Sequence, residues 1–114
     1  MNLLPGETQA LVQKTARDFA ERVVMPLAAR IDAAGAIPPA VFRGLAELGL
    51  LAVNVPADLG GAGAGVVAYA LAVQEVARAC AATAVSMSVT NMVGETIARF
   101  GTAAQKERYC PRLA

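Results

Sequence analysis

The sequence predicts an all-α fold, a helical bundle of about five helices over residues 1–114. Two observations carry that expectation. Apolar residues recur at three- and four-residue spacing almost from end to end, the period of helices that bury one face. Alanine, the strongest helix former, makes up a little under a quarter of the chain.

The first element follows the series Leu11, Thr15, Phe19, Val23, Leu27 and Ile31, widened by Val12, Ala16 and Ala20. Its other face offers Lys14–Asp18, Arg17–Glu21 and Asp18–Arg22 as i,i+4 ion pairs, each worth only about 0.3–0.5 kcal/mol. Pro26 falls inside the series and predicts a kink or break, and Gly35 is the expected stop. A second helix opens at Pro38-Pro39, where missing amide donors do no harm, buries Val41, Phe42, Leu45 and Leu48, and ends at Gly49. Residues 50–55 form a short apolar run, extended or turn-like, ahead of the glycine-rich stretch 58–65. The third helix, about 66–80, is apolar around nearly its whole circumference except for Gln74, Glu75 and Arg78. The fourth, about 83–100, is uncharged until Glu95 and Arg99, and Gly101 ends it. Thr102-Ala103-Ala104-Gln105 has the spacing of a capping box and opens a fifth helix through Tyr109. Helices apolar all round belong in the middle of a larger protein. Five helices can hardly enclose two of them, so the bundle is expected to be incomplete without following domains.

Composition removes several classes of function. Ten basic and nine acidic residues give a net charge of +1 and no electrostatic footprint for a nucleic acid. Histidine is absent, which excludes His-based triads and imidazole ligands. Two cysteines, Cys80 and Cys110, cannot form a zinc site alone, so no metal is expected and both read as reduced, buried thiols. The opening Met1-Asn2-Leu3-Leu4-Pro5 lacks the basic start and apolar stretch of a signal peptide. The longest uncharged runs, 59–74 and 79–94, are 16 residues each, short of the ~18–20 that span a bilayer. A cytoplasmic protein with no membrane span is the expectation.

Gly63-Ala64-Gly65-Val66-Val67-Ala68 fits the loose dinucleotide pattern G-x-G-x-x-G/A. Its context fails: residues 56–62 intervene after the apolar run, and no acidic strand end follows about 20 positions on, so a connecting loop is the better reading. Glu75 is either a buried carboxylate with a raised pKa or a local partner of Arg78, and Glu95 pairs with Arg99 in the same way. Neither glutamate is read as catalytic. The stretch 83–94 mixes Ser, Thr, Asn and Met in one helix. Its hydroxyls can bond the carbonyl four residues back. Its small residues leave room for a neighbouring helix or for something outside this chain.

Four motifs in order then carry a resemblance. They are Phe42-Arg43-Gly44-Leu45-Ala46-Glu47-Leu48-Gly49-Leu50-Leu51, Val55-Pro56-Ala57-Asp58-Leu59-Gly60-Gly61-Ala62-Gly63, Val85-Ser86-Met87-Ser88-Val89 with Asn91, and Phe100-Gly101-Thr102 followed by Gln105-Lys106 and Tyr109. The chain resembles the N-terminal helical domain of acyl-CoA dehydrogenases over essentially its whole length. The resemblance implies a flavoprotein oxidoreductase in which a middle β-domain and a C-terminal four-helix domain follow. It implies acyl-CoA as substrate, FAD as cofactor, an electron acceptor such as an electron-transfer flavoprotein, and a homo-oligomer. Acyl-CoA oxidases and flavin-dependent monooxygenases share the domain. The family's catalytic glutamate and main FAD site belong to the later domains, so no catalytic residue is assigned here and the isolated chain is expected to be inactive. What the resemblance does place here is the inner wall of the acyl-chain pocket: matched at Asn91, it comprises Val85, Ser86, Val89 and Val93. A stand-alone helical protein-interaction module is the alternative, its exposed apolar faces serving a protein partner.

Overall fold

The helical periodicity is realised as six α-helices, with no strand among the described residues 2–114 of a computed structural model. Met1, the start of the segment read as lacking a signal peptide, lies outside the described residues. The first predicted helix is a rod in two α-helical pieces: α1 (Glu7–Phe19) and α2 (Ala28–Ala34), joined by a π-helical turn at Ala20–Val24 and a 3-10 turn at Met25–Leu27. Pro26 is the physical reason, because it offers no amide to Arg22 and its ring crowds the turn before it. The winding loosens ahead of the ring and tightens under it. Gly35 ends α2 at φ 65°, as expected of a left-handed cap.

The buried face of this rod is rotated from the expected one. Ala16, Ala20, Val24 and Ile31 are buried, whereas Leu11 and Val23 are exposed. The rod packs on α4 (Gly65–Ala79), whose inward residues are Ala68, Ala72 and Val76. Alanine facing alanine brings two backbones close, and the bulkier leucine and valine positions fall outside the seam. α3 (Pro39–Glu47) opens on Pro39 as predicted and lies across Phe19 at Gly44, where a Cβ would stand 2.6 Å from the ring.

Residues 50–55 are turns rather than an extended strand, and five of the six are buried. A 3-10 turn at Ala57–Leu59 leads into the glycines. Cys80 alone, in extended conformation, separates α4 from α5 (Ala81–Phe100), so the two helices fold back on each other as a tight pair. α6 (Ala103–Leu113) opens with the predicted capping box: the Thr102 hydroxyl accepts from the Gln105 amide at 3.3 Å, and the Gln105 side chain accepts from the Thr102 amide at 2.9 Å. Thr102→Ala is expected to cost about 1 kcal/mol, read as a lower urea midpoint at unchanged slope.

One core runs between the rod, α3, α4 and α5. A smaller one, around Ala52, Val55 and Cys110, holds α6 to the loop. The whole forms a slab of 41 × 37 × 19 Å, about two helix layers thick.

Candidate site on the fifth helix

α5 has two unlike faces. Its inward face presents Thr83, Ala84, Met87, Asn91 and Gly94. Asn91 is fully buried. Its Oδ1 accepts from the Val53 amide at 2.7 Å, while its Nδ2 donates to the carbonyls of Leu50 at 2.9 Å and Met87 at 3.0 Å. One amide side chain thus ties the apolar turn 50–53 to the helix, and both of its N–H donors are engaged. Nearby, Asn54 donates to Glu95, and a Cβ on Gly94 would lie 2.9 Å from Val55 Cγ2.

The outward face carries three of the four residues placed on the pocket wall. Val85, Val89 and Val93 are exposed at 61%, 47% and 38%, beside exposed Met92. They follow one another at i+4 spacing on the side away from the buried positions. Ser86 is half-buried at the edge of this stripe and opens instead onto a depression of about 650 Å³ shared with Ile31, Phe42 and Cys80. Val89 lines a separate groove of about 230 Å³ with Tyr69, Ser88 and Met92. The hydroxyls of Ser86 and Thr90 donate to the carbonyl four residues back as predicted, and so does Thr96 beyond that stretch. Ser88 instead donates three back to Val85, and the buried Thr83 hydroxyl has no partner among the described residues.

The acidic candidates resolve differently. Glu75 is buried, but its pKa is lowered, not raised. Its carboxylate accepts from Arg17 at 2.8 Å, Arg78 at 2.9 Å and Gln13 at 3.2 Å, and the hydrogen bond from Arg17 is the leading cause of the shift. Arg17 is therefore turned to Glu75 rather than to Glu21. Lys14–Asp18 forms at 2.8 Å and Glu95–Arg99 at 2.9 Å, while the Arg17–Glu21 and Asp18–Arg22 pairs do not form among the described residues. Of the two free thiols, Cys110 is buried and Cys80 is only partly so.

The glycine loop is a staple, not a cradle. The amides of Ala62, Gly63 and Ala64 donate to the carbonyls of Ala52, Val55 and Val53 at 2.9, 2.9 and 2.8 Å. The amides of Gly63 and Ala64, the first two of the dinucleotide pattern, are thus bonded within the chain, as in a connecting loop.

Against this geometry, the family profile described as "Acyl-CoA dehydrogenase, N-terminal domain" matches residues 6–114. The chain belongs to the acyl-CoA dehydrogenase family. It is 44% identical over 104 residues to the mouse (Mus musculus) mitochondrial short-chain specific acyl-CoA dehydrogenase, a match covering 90% of this chain and 25% of that protein. Butyryl-CoA dehydrogenase from Megasphaera elsdenii superposes with a TM-score of 0.91 at 30% identity, over 99% of this chain and 30% of that one. A chain from the structural work on the electron transferring flavoprotein of Acidaminococcus fermentans and flavin-based electron bifurcation superposes at a TM-score of 0.95. It is 28% identical, covering 100% of this chain and 30% of its own. This chain thus spans a quarter to a third of these relatives, as their N-terminal domain.

Sequence reasoning used Asn91 only as a landmark of this acyl-CoA dehydrogenase domain. Its clamp on residues 50–53 crosses 38 and 41 positions, and only a buried amide beside an unpaired apolar turn could have signalled it.

Proposed function

We propose that this domain serves an FAD-dependent acyl-CoA dehydrogenase as the inner wall of its acyl-chain pocket, through Val85, Ser86, Val89 and Val93. The observation that carries this reading is the bare apolar stripe on α5, set directly opposite a face locked into the domain. Such a wall lets an acyl chain leave water, and side-chain bulk on it limits how far the chain can reach. Neither candidate glutamate suits the role of base: Glu75 is held as a carboxylate by three donors, and Glu95 is engaged by Asn54 and Arg99. The base, and the flavin that accepts the β-hydrogen, are supplied from outside these residues, so the isolated chain has no dehydrogenase activity. The same reading takes acyl-CoA as substrate, an electron-transfer flavoprotein as acceptor, a homo-oligomer as the working form and the cytoplasm as its place.

The test grafts residues 6–114 into a short-chain acyl-CoA dehydrogenase in place of the matching segment. Val89→Phe in this graft is expected to shift kcat/KM towards shorter acyl chains. Each displaced methylene is worth about 1 kcal/mol, so the change is graded. FAD content stays the same. A variant that is merely less stable, by the roughly 1–3 kcal/mol of an overpacked core, and keeps the parental chain-length profile sinks the assignment.

A further inference from the structure

We propose that Asn91 is a positioning residue that sets the rotation and register of α5, and with them the acyl-chain length the wall admits; this rests on the pocket reading above. The stripe at Val85, Val89 and Val93 is exposed, with Tyr69 flanking it at the groove beside Val89, so its support comes mainly from behind. Behind it, two contacts one turn apart meet the same loop. Asn91 grips the backbone of Val53 and Leu50, and Gly94 lies against Val55, where no Cβ could fit without displacement.

A further polar tie from α5 joins the same loop at its half-buried edge, where Asn54 donates to Glu95, and the other two are looser. Tyr69 reaches the Ser88 carbonyl only at 3.5 Å, and the Cys110 thiol stands 3.7 Å from the Gly94 carbonyl. Apolar packing alone accepts some rotation of a helix, whereas a hydrogen bond weakens steeply with angle. With side-chain ends about 5–6 Å from a helix axis, a turn of about 20° carries them roughly 2 Å, more than the reach of one methylene. Asn91 therefore governs the pocket without touching its contents.

The experiment uses the same graft, with the ratio of kcat/KM for butyryl-CoA to octanoyl-CoA as readout. Asn91→Leu removes all three bonds while keeping a branched side chain of the same heavy-atom count, and Gly94→Ala pushes the helix off Val55. Both are expected to change the ratio by about fivefold or more, as is Asn91→Asp, which keeps the acceptor for Val53 but sets a second acceptor against the Leu50 and Met87 carbonyls. Folded, FAD-replete variants in which both substrates slow by one common factor overturn the proposal, since a purely structural role does not discriminate chain length. Should Asn91→Leu fail to fold, Gly94→Ala decides alone by the same criterion. If Val89→Phe moves the ratio while the Asn91 and Gly94 variants do not, the positioning role fails and the pocket wall stands. If Val89→Phe leaves it unmoved, the wall itself has failed.

Discussion

Gly61→Ala is expected to cost roughly 3 kcal/mol or more of folding stability, enough to remove a large share of a small domain's margin. A Cβ on Gly61 would lie 2.1 Å from the Val55 carbonyl oxygen and 2.6 Å from both the carbonyl carbon and Val55 Cβ. Neither side can yield cheaply. That same oxygen accepts the Gly63 amide, and the Gly61 amide is itself bonded to the Pro56 carbonyl at 3.1 Å. Moving apart breaks the staple that joins the glycine loop to the turn below α5. Gly35→Ala supplies the contrast. Nothing lies within 4 Å of that position, so only its φ of 65° is penalised, at about 1 kcal/mol. Urea denaturation of the two variants beside the parent measures the difference. Equal losses would show that small shifts relieve the collision at Gly61, and would overturn the expected cost.

The second large effect is electrostatic. Glu75→Ala is expected to cost about 2 kcal/mol, below the usual toll for breaking a buried pair because Arg17 and Arg78 are half-exposed and water takes them back. The pH dependence has a definite sign. Donors hold the folded-state carboxyl below its ordinary 4.5, so the unfolded chain takes up a proton first as the solution is acidified. The contribution is complete above about pH 4.5 and disappears as pH falls through the lower folded value. Glu75→Gln should flatten this part of the acid limb, leaving the slope from Asp18, whose pKa Lys14 also lowers. Stability measured at pH 7 and at steps below pH 4.5 checks it. An unchanged acid limb in Glu75→Gln would assign the loss to other carboxylates.

Local rules made much of this fold legible. The Pro39 start, the Gly35 stop and the Thr102 capping box each depend on a few adjacent residues, and each stands where spacing placed it. Rules of that kind fail where a distant partner competes. Arg17 has Glu21 four residues away, yet a carboxylate 58 positions on wins, because Glu75 is buried and offers a stronger, less screened acceptor. The buried face of the rod was hidden for a related reason: hydrophobicity favours Leu11 and Val23, but the alanines of α4 reward close approach. On α5, the valine stripe is implied by the family resemblance and agrees with helical spacing. The device behind it could not be read, since an asparagine in a helix carries no local sign of the turn it holds.

The slab shape has a consequence in surface area. A compact monomer of 11.7 kDa exposes roughly 5,900 Å². This chain exposes 6858 Å², an excess of roughly 1,000 Å². One partner's share of an ordinary protein interface is about 800 Å². A layer only 19 Å deep leaves its helices with two broad sides and little interior, so the surplus amounts to about one such share. Denaturant and heat report the same geometry. Relative to a globular chain of equal length, this one has less area to expose on unfolding, so both its urea slope and its heat-capacity increment should be low until a second surface is laid against it.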